Sequence, residues 1–564
     1  MDISNLYKYW CSDPYFDQET RDELKTIAGN EDEIKERFYK ELEFGTGGLR
    51  GVIGAGTNRI NRYTVRKATQ GLANYICMEK METRGVVIAY DSRHMSELFA
   101  EEATMCLAAN NIKVYLFDSL RPTPVLSFAV RHLSAVAGIV ITASHNPAEY
   151  NGYKVYWSDG GQITSPVDRQ IMEKIKEVRS FTQVKTMSRE EAKERGLYQS
   201  IGSDMDDKYM EELKKLVQHP KVLKRQAEHI KIVYTPLHGT GNLPVQRILK
   251  ELGFTQVFIV KEQELPDGNF PTVTSPNPED KKAFSMALSL AKQVDADLIL
   301  ATDPDADRLG IYGKERDGSY RSFTGNMSGM LLMEYILSQK AAKKQLPENS
   351  AVVTTIVSGK MAKGIAKKYQ VSLIETLTGF KYIGQQIKEF EEQQSHTFLF
   401  GFEESYGCLV GTYARDKDAV SAVMALCEAA AWYREQGLTL CEQMEKLYQE
   451  YGYYKEDLCT ITLQGASGRK KIDSLMSGIR NNIPQKIGDF QVIGFRDYQT
   501  ETPMDLPKSD VIYFELEHKA WCCVRPSGTE PKMKFYLGIK GRDEADAELK
   551  MKELTNAVKQ LAQI

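Results

Sequence analysis

The stretch GIVITASHNPAEYNGYKVY, residues 138–156, contains a strand-like run that ends in a loop with a serine. Its apolar, β-branched start predicts a buried strand, which the turn-forming TASHNP ends. A second strand-like run follows Asn-Gly and contains Lys154. Ser144 would thus be a nucleophilic hydroxyl in a loop, with His145 and Lys154 as candidate proton acceptors and cationic partners. Taken alone, the loop also fits an ordinary hydrogen-bonded turn.

The arrangement of a strand followed by a polar loop occurs three times along the chain. Each unit has three strand-like runs separated by helix-like segments. The first runs are residues 86–93, 230–239 and 351–359, and the second runs are 112–118, 256–260 and 371–379. The third runs, each ending in a polar loop, are 139–147, 297–308 and 397–407. Ligands of open α/β sheets lie beyond the carboxyl ends of strands, so we expect these loops to converge on one cleft. The alternative is three independent domains.

The ends of the chain differ from this repeat. Residues 1–40 have a helical pattern that predicts two short helices, and residues 416–436 and 439–451 predict helices that complete the third unit. Four alternating runs between residues 458 and 541 predict strands, and a last helix is expected near 543–562. The predicted fold is therefore α/β, with three similar mixed-sheet domains and a smaller C-terminal α+β domain around a central cleft. The expected division is 1–40, 41–200, 201–320, 321–452 and 453–564.

Composition narrows the class of protein. The chain has 564 residues, 42% hydrophobic and 27% charged, which is ordinary for a globular protein. Basic and acidic residues number 73 and 77, and a net charge of -4 gives neither a nucleic-acid surface nor a polybasic membrane patch. The start MDISNLYKYW has no signal-peptide pattern, so we expect a cytoplasmic protein. Nine scattered cysteines without CxxC pairs indicate reduced thiols.

The loop DPDADRLG predicts a metal site. Asp303, Asp305 and Asp307 alternate directly after a strand, and three carboxylates turned toward one point repel each other unless a cation lies between them. Mg²⁺ suits an oxygen-only site that serves a phosphate, and Arg308 could bind a phosphoryl oxygen. The alternatives are a solvated acidic turn and a phosphatase that uses an aspartate of the loop as its nucleophile.

Three further loops are candidates for binding an anion or a sugar. A glycine-dense loop contains Arg50, and GFEESYG contains Glu403 and Ser405, which can bond to sugar hydroxyls. The loop RPSGTEP combines a guanidinium with hydroxyls and backbone N–H groups and is a candidate phosphate cradle. Its candidate ligands are Arg525, Ser527, Gly528 and Thr529. Each loop alone also fits a structural turn.

Four of these loops, TASHNP, DPDADR, GFEESYG and RPSGTEP, in this order, resemble the signature loops of the α-D-phosphohexomutases. The resemblance runs from about residue 40 to the C-terminus. The segment NGYKVYW and the overall length are most similar to the branch that contains phosphoglucomutases and phosphopentomutases. The resemblance implies a heart-shaped molecule in which three α/β domains and a fourth, smaller one surround the cleft.

The resemblance also implies roles for individual residues. Ser144 would be the phosphoserine and, with the three aspartates, would hold Mg²⁺. Lys154 and His145 are similar to the acid/base candidates of the family, and their roles remain interchangeable at this point. The implied substrate contacts are Arg50, Arg308, Thr378, Gly379, Glu403, Ser405, Lys417, Arg525, Ser527, Gly528 and Thr529. Thr378 and Gly379 are expected at the end of the second strand of the third unit.

The implied reaction interconverts glucose 1-phosphate and glucose 6-phosphate, with glucose 1,6-bisphosphate as intermediate and activator. A phosphopentomutase or a phosphomannomutase would use the same chemistry, and a silent sugar-phosphate binding protein is the alternative that is not an enzyme. The ending ESYG differs from the xSGH ending of the phosphomannomutase and phosphoglucosamine mutase branches, which weakens both specificities. The expected partners are small sugar phosphates, with no nucleic acid and no membrane, in a monomer or a dimer.

Overall fold

The computed structural model describes residues 2–45, 48–462, 465–500, 506–526 and 532–561. Within these residues the chain forms four β-sheets, named sheets I to IV in chain order. Sheets I to III are mixed and flanked by helices, whereas sheet IV is antiparallel. The predicted fold class, three α/β units followed by a smaller α+β unit, is confirmed. The division at residues 40, 200, 320 and 452 stays a prediction.

The N-terminal segment forms three helices, so the prediction of two was wrong. They are α1 (Ile3–Ser12), α2 (Gln18–Thr26) and α3 (Glu31–Phe38). The third helix is capped by Asn30, whose side chain accepts a hydrogen bond from the backbone N–H of Glu33. The interruption of the helical pattern at this point is therefore the start of a new helix. The Trp10 ring stacks on Phe16 at 4.2 Å and meets Tyr63 of the following helix edge-on at 5.5 Å. This aromatic cluster fixes the segment to the first α/β unit.

Sheet I has the strand order β1-β5-β4-β2-β3-β6. Its strands are β1 (Gly48–Val52), β2 (Val86–Tyr90), β3 (Val114–Phe117), β4 (Ala137–Ile141), β5 (Tyr150–Trp157) and β6 (Tyr198–Ile201). The helices of this unit are α4 (Arg62–Met78), α5 (Ser96–Ala109), α6 (Thr123–His132), α7 (Val167–Glu177) and α8 (Arg189–Glu194). Two more helices, α9 (Ser203–Lys215) and α10 (Pro220–Gln226), lead to the next unit.

Sheets II and III follow. Sheet II has the order β11-β10-β9-β7-β8 and consists of β7 (Lys231–Thr235), β8 (Gln256–Ile259), β9 (Leu298–Thr302), β10 (Leu309–Lys314) and β11 (Tyr320–Phe323). Its helices are α11 (Asn242–Glu251), α12 (Lys261–Glu264) and α13 (Ser285–Val294). Helix α14 (Gly325–Ala342) precedes sheet III, whose order is β13-β12-β14-β15. Its elements are β12 (Ser350–Thr355), α15 (Met361–Tyr369), β13 (Ser372–Thr376), α16 (Phe380–Gln393), β14 (Thr397–Glu403), β15 (Gly407–Val410), α17 (Ala419–Glu435) and α18 (Leu440–Tyr451).

Sheet IV has the order β16-β21-β20-β19-β18-β17. Its elements are β16 (Tyr453–Thr462), α19 (Gly465–Asn481), β17 (Lys486–Ile487), β18 (Phe490–Asp497), β19 (Ile512–Leu516), β20 (Trp521–Pro526), β21 (Lys532–Gly541) and α20 (Glu544–Leu561). The expected last helix is therefore α20. Helix α19 and the strands β17 and β18 were not predicted.

The three α/β units share one strand arrangement. In each, the third strand lies between the first strand, to which it is parallel, and an antiparallel strand that follows it. Thus β4 lies between β2 and β5, β9 between β7 and β10, and β14 between β12 and β15. The loops after these third strands are the loops with candidate catalytic, metal and sugar-binding residues. The repeat therefore places all three at the carboxyl edges of their sheets.

The first and third strands of each α/β unit are buried on both faces over nearly their whole length. Along β2, Val86 and Ile88 point into one hydrophobic core, while Val87 and Ala89 point into the core on the opposite face. Helices on both sides of a parallel sheet cause this pattern, which explains why these strands are continuously apolar in sequence. Among the described residues, no helix combines the length and the apolar character that crossing a lipid bilayer requires.

Candidate active site

Ser144 lies in the turn between β4 and β5 and is almost completely buried, with 3% of its surface exposed. Its backbone is left-handed, with φ at 51°, and its N–H donates to Thr142 Oγ1 at 2.8 Å. The hydroxyl donates to Asp303 Oδ2 at 2.6 Å and lies 3.3 Å from His145 Nδ1. A left-handed backbone at a non-glycine residue is unusual and needs support from its surroundings. The turn thus presents the serine oxygen directly to the metal loop of sheet II.

Arg93 provides that support, and sequence analysis did not identify it. The residue follows β2, and its side chain is completely buried beside Asp91. Its guanidinium donates to four backbone carbonyls, those of Ser144 at 2.5 Å, Pro147 at 2.8 Å, Tyr150 at 3.0 Å and Asn146. Phe270, from the unit of sheet II, covers the guanidinium at 4.9 Å. One signal for Arg93 was available in the sequence, because it ends the first strand-like run of the unit (residues 86–93). Ser144 follows the third strand of the same unit at the same edge of the sheet.

The three aspartates of the metal loop occupy the turn between β9 and β10. Asp303, Asp305 and Asp307 are at most 2% exposed, and one oxygen of each lies within 4.8 Å of the others. Asp303 Oδ1 accepts the backbone N–H groups of Asp307 and Arg308, both at 3.1 Å. Burial, followed by the charges of Asp305 and Asp307, raises the pKa of Asp303 well above its usual value. The cluster therefore carries more negative charge than its surroundings tolerate without cations.

Two lysines from different units neutralise part of this charge. Lys154 of β5 donates to Asp305 Oδ2 at 2.8 Å, and Lys417 lies 3.1 Å from Asp307 Oδ2. Lys417 precedes α17, which begins three residues later than the predicted start at residue 416, because the Asp418 side chain caps the helix by accepting the N–H groups of Val420 and Ser421. Although burial opposes it, the carboxylates of Asp307 and its other neighbours raise the pKa of Lys417 well above its usual value. Lys417 is therefore held as an ammonium group.

The aspartate cluster fits a hard divalent cation. All three side chains offer oxygen, the donor type that Mg²⁺ prefers. Asp305 Oδ1 and Asp307 Oδ1 are buried and have no hydrogen-bond partner among the described residues. Buried carboxylate oxygens are costly when unpaired, so a ligand at this point would remove the cost. Together with the Ser144 hydroxyl on Asp303, the cluster could hold a metal beside a group attached to the serine.

His145 and Arg308 flank the serine and the aspartates. Burial, followed by the positive charges of Arg308 and Arg50, lowers the pKa of His145 well below its usual value. The imidazole is therefore neutral and can accept a proton. Arg308 forms an ion pair with Glu279, and its Nε lies 3.8 Å from Asp307 Oδ1. The guanidinium is consequently held at the edge of the metal loop.

The sugar-binding candidates lie in the turn between β14 and β15. Ser405 Oγ donates to Glu403 Oε1 at 2.8 Å, and the same oxygen of Glu403 lies 3.8 Å from Lys417 Nζ. Since Lys417 also contacts Asp307, this turn is connected to the metal loop through one side chain. The structure thus brings the candidate residues of all three third-strand loops into a continuous polar cluster.

A second group of candidates joins sheet III to sheet IV. Arg525 at the end of β20 donates a hydrogen bond to Thr378 Oγ1. Strand β13 ends at Thr376, so Thr378 and Gly379 lie after the strand and not at its end, and Gly379 has a φ of 111°. The other three predicted ligands of this loop, Ser527, Gly528 and Thr529, fall outside the described residues.

Arg50 and Lys381 complete the set of candidates. Arg50 lies in β1 and donates to Asn146 Oδ1 at 3.1 Å, so it reaches the serine loop from the sheet edge. Lys381, which sequence analysis did not select, is the second residue of α16 and lies three residues after Thr378 in the sequence. Burial lowers the pKa of Lys381 to about 8; the carboxylate of Asp168 opposes this shift and the positive charge of Arg525 adds to it. Lys381 and Arg525 are therefore two cationic candidates for binding an anion.

Known proteins with the same features identify the family. Three family models match the chain. They are described as "Phosphoglucomutase/phosphomannomutase, alpha/beta/alpha" domain I, domain II and domain III, and they match residues 41–181, 207–318 and 324–451, respectively. The chain belongs to the phosphoglucomutase/phosphomannomutase family. The order of the three matches is the order of sheets I to III, so the family match and the observed repeat describe the same architecture.

Curated relatives in this family cover nearly the whole chain. A protein named phosphoglucomutase from Staphylococcus aureus (strain MRSA252) is 39% identical over 531 residues, which is 92% of this chain and 93% of the relative. A phosphoglucomutase from Staphylococcus haemolyticus (strain JCSC1435) is 38% identical over 513 residues, 89% of this chain and 91% of the relative. The similarity therefore extends over nearly the whole chain.

Solved structures support the fold of the family. The open form of pp63/parafusin from Paramecium, described as a phosphoglucomutase, superposes with a TM-score of 0.71 at 18% identity. The alignment covers 93% of this chain and 96% of that chain. At this low identity the likeness establishes the fold alone.

Proposed function

We propose that this member of the phosphoglucomutase/phosphomannomutase family is a phosphoglucomutase, which interconverts glucose 1-phosphate and glucose 6-phosphate. The observation that carries the proposal is the 2.6 Å hydrogen bond from Ser144 Oγ to Asp303 Oδ2, which places a supported nucleophile on a buried aspartate cluster. The names of the curated relatives favour glucose phosphates as substrates. Glucose 1,6-bisphosphate serves as the intermediate and the activator.

The reaction transfers a phosphoryl group twice. Phosphorylated Ser144 meets glucose 1-phosphate, a bond forms between phosphorus and the free sugar hydroxyl oxygen, and the bond between phosphorus and Ser144 Oγ breaks. The resulting glucose 1,6-bisphosphate reorients and returns its other phosphoryl group to Ser144 Oγ by the reverse exchange. Phosphoryl transfer is catalysed mainly by positioning and charge stabilisation, which suits a serine held by Arg93 and the metal loop.

Each transfer moves one proton from the attacking oxygen and supplies one to the departing oxygen. His145 Nδ1 lies 3.3 Å from Ser144 Oγ and its imidazole is neutral, so we assign it to proton exchange with the serine oxygen. The sugar hydroxyl attacks from the side of phosphorus opposite to Ser144 Oγ. Lys154 is then the residue that exchanges a proton with the sugar, and its contact with Asp305 aligns it until the substrate binds.

The negative charge of the transferring group is offset by residues on several loops. Asp303, Asp305 and Asp307 would hold Mg²⁺, which when bound stabilises negative charge on phosphoryl oxygens. The Ser144 oxygen would be the fourth protein group beside that ion. Arg308, whose guanidinium lies at the edge of the metal loop, would donate hydrogen bonds to a phosphoryl oxygen.

The remaining substrate contacts follow from the other loops. Glu403 and Ser405 would bond to sugar hydroxyls, with Lys417 holding Glu403 in place. Thr378, Gly379 and Arg525 would bind the phosphate that does not react, together with the predicted ligands Ser527, Gly528 and Thr529. Arg50, which lies at the serine loop, would contact an anion there. Because the sugar must present either of its two phosphates to Ser144, this second phosphate site has to accept both orientations.

Coupled turnover of glucose 1-phosphate with Mg²⁺ and a trace of glucose 1,6-bisphosphate tests the proposal, with ribose 1-phosphate measured in parallel. We expect rapid glucose conversion that requires the bisphosphate and is abolished by Ser144→Ala. The matched control is Ser119→Ala, an exposed serine at the same edge of sheet I. Faster conversion of ribose 1-phosphate would assign a phosphopentomutase, and phosphate release that survives Ser144→Ala would assign an aspartate-dependent phosphatase.

A further inference from the structure

Thr123, at the start of α6, connects the unit of sheet I to the metal loop of sheet II. It is completely buried. Its backbone N–H donates to the Asp305 carbonyl oxygen at 2.9 Å, and its hydroxyl donates to Asp305 Oδ2, also at 2.9 Å. Although 182 residues separate the two in sequence, Thr123 therefore holds both the backbone and the side chain of one candidate metal ligand.

The hydroxyl contact has a specific effect on the Asp305 carboxylate. Oδ2 accepts both Thr123 Oγ1 and Lys154 Nζ, whereas Oδ1 has no hydrogen-bond partner among the described residues. Two donors on one oxygen fix the rotation of a carboxylate about its last bond. They leave Oδ1 as the oxygen that a cation can bind.

The two donors are not equivalent. Lys154 has a long, flexible side chain and, in the proposed reaction, exchanges a proton with the sugar, so its contact with Asp305 is not a permanent anchor. Thr123 has a short, β-branched side chain with restricted rotation. Its hydroxyl does not cap α6, because no side-chain cap is formed at the start of that helix. The hydrogen bond to Asp305 is thus a dedicated contact.

We propose that Thr123 is a positioning residue that orients Asp305 for binding of the divalent cation and keeps it oriented when Lys154 turns to the substrate. This inference rests on the proposed function in one respect, namely that the aspartate cluster binds Mg²⁺. Groups that hold a metal ligand from behind commonly change metal affinity by about tenfold to a hundredfold when they are removed.

The test compares Thr123→Val, which lacks the hydroxyl but keeps the backbone N–H, with Thr123→Ser, which retains both. Binding of Mn²⁺ alone to the full chain is measured by titration calorimetry and by the electron paramagnetic resonance signal of free Mn²⁺. We expect Thr123→Val to weaken Mn²⁺ binding at least about tenfold and Thr123→Ser to bind within about threefold of the unmodified chain. Thr123→Ala replaces the valine variant if that protein does not fold.

Activity supplies a second readout. In Thr123→Val the Mg²⁺ concentration for half-maximal rate should rise, while KM for glucose 1-phosphate at saturating Mg²⁺ stays within about twofold. A merely structural role would change both constants together. Unchanged Mn²⁺ binding in Thr123→Val would overturn the inference. If the unmodified chain and Asp305→Asn bound Mn²⁺ equally, the metal assignment itself would fail, and the role of Thr123 with it.

Discussion

Arg93→Lys should slow the proposed reaction strongly while the chain remains folded, because Arg93 organises the loop that carries Ser144. One terminal nitrogen of the guanidinium donates to the carbonyls of Pro147 and Tyr150 at 2.8 and 3.0 Å. The other donates to the carbonyls of Ser144, at 2.5 Å, and Asn146. A lysine keeps the charge but has a single nitrogen, so it can serve one of these two pairs and not both.

The magnitude follows from the bonds that are lost. Hydrogen bonds to a charged group contribute about 1.5–3 kcal/mol each, so losing two removes about 3–6 kcal/mol that holds the loop in its left-handed conformation. A displacement of about 1 Å at a reacting group can reduce the rate about a hundredfold. We therefore expect kcat for glucose 1-phosphate to fall about a hundredfold, with KM changed by less than about threefold.

Steady-state kinetics and the free energy of unfolding should be measured on the same protein samples. Arg84→Lys is the matched control, since Arg84 also donates to two backbone carbonyls, those of Ser134 and Ala135, but at the opposite end of β2. This control should keep the kcat of the unmodified chain. A value of kcat for Arg93→Lys within about threefold of the unmodified chain would refute the reasoning, because the loop would then hold Ser144 in place without the guanidinium.

Three other changes test separate parts of the molecule. Lys381, whose pKa is lowered by burial to about 8, is cationic below that pH, so KM for glucose 1-phosphate should rise as the pH increases through 8; Lys381→Arg should flatten this profile, and identical profiles would exclude the residue from the anion site. Burial raises the pKa of Glu428 from 4.5 to about 7, so the fold is about 3 kcal/mol more stable below pH 4.5 than above pH 7, where the buried carboxyl group ionises, and this difference is lost as the pH rises through 7. Denaturant unfolding should therefore show a weaker pH dependence in Glu428→Gln, and parallel curves would contradict the assignment. Trp10→Ala should cost about 3–5 kcal/mol of unfolding free energy without changing KM, since Trp10 packs the N-terminal helices away from the candidate site; a tenfold change in KM would show that these helices act on the site.

The three α/β units could be predicted from the sequence because their central strands are buried on both faces and therefore appear as continuous apolar runs. The same property located Ser144 and the three aspartates, since each follows such a run at the edge where ligands of α/β sheets lie. The return strands β10 and β15 were not predicted, because each begins within a few residues of a polar loop and contains glycine, so its pattern merges with that of the loop. The third N-terminal helix was missed because its cap, Asn30, follows a glycine and the pair resembles a simple break.

Residues that position the catalytic and metal-binding groups without contacting the substrate could not be predicted from strand patterns. Arg93 contacts the serine loop across 51 residues, and Thr123 contacts Asp305 across 182 residues, so neither contact leaves a local pattern. Their role depends on which donor meets which carbonyl or carboxylate oxygen, and this is fixed only when the units pack together. For Arg93 the repeat contained a partial signal, since it too follows a strand at the carboxyl edge of sheet I.

The central claim is that phosphoryl groups pass through Ser144. Incubating the full chain with glucose 1,6-bisphosphate and Mg²⁺, followed by mass spectrometry of its peptides, tests this claim most directly. We predict one added phosphoryl group on Ser144 that is still present after excess glucose 1-phosphate has been converted to glucose 6-phosphate, but that has been exchanged for the phosphoryl group of the substrate when the latter carries an ¹⁸O label. Turnover of glucose 1-phosphate with no phosphate on Ser144, or with phosphate on a different residue, would contradict the account.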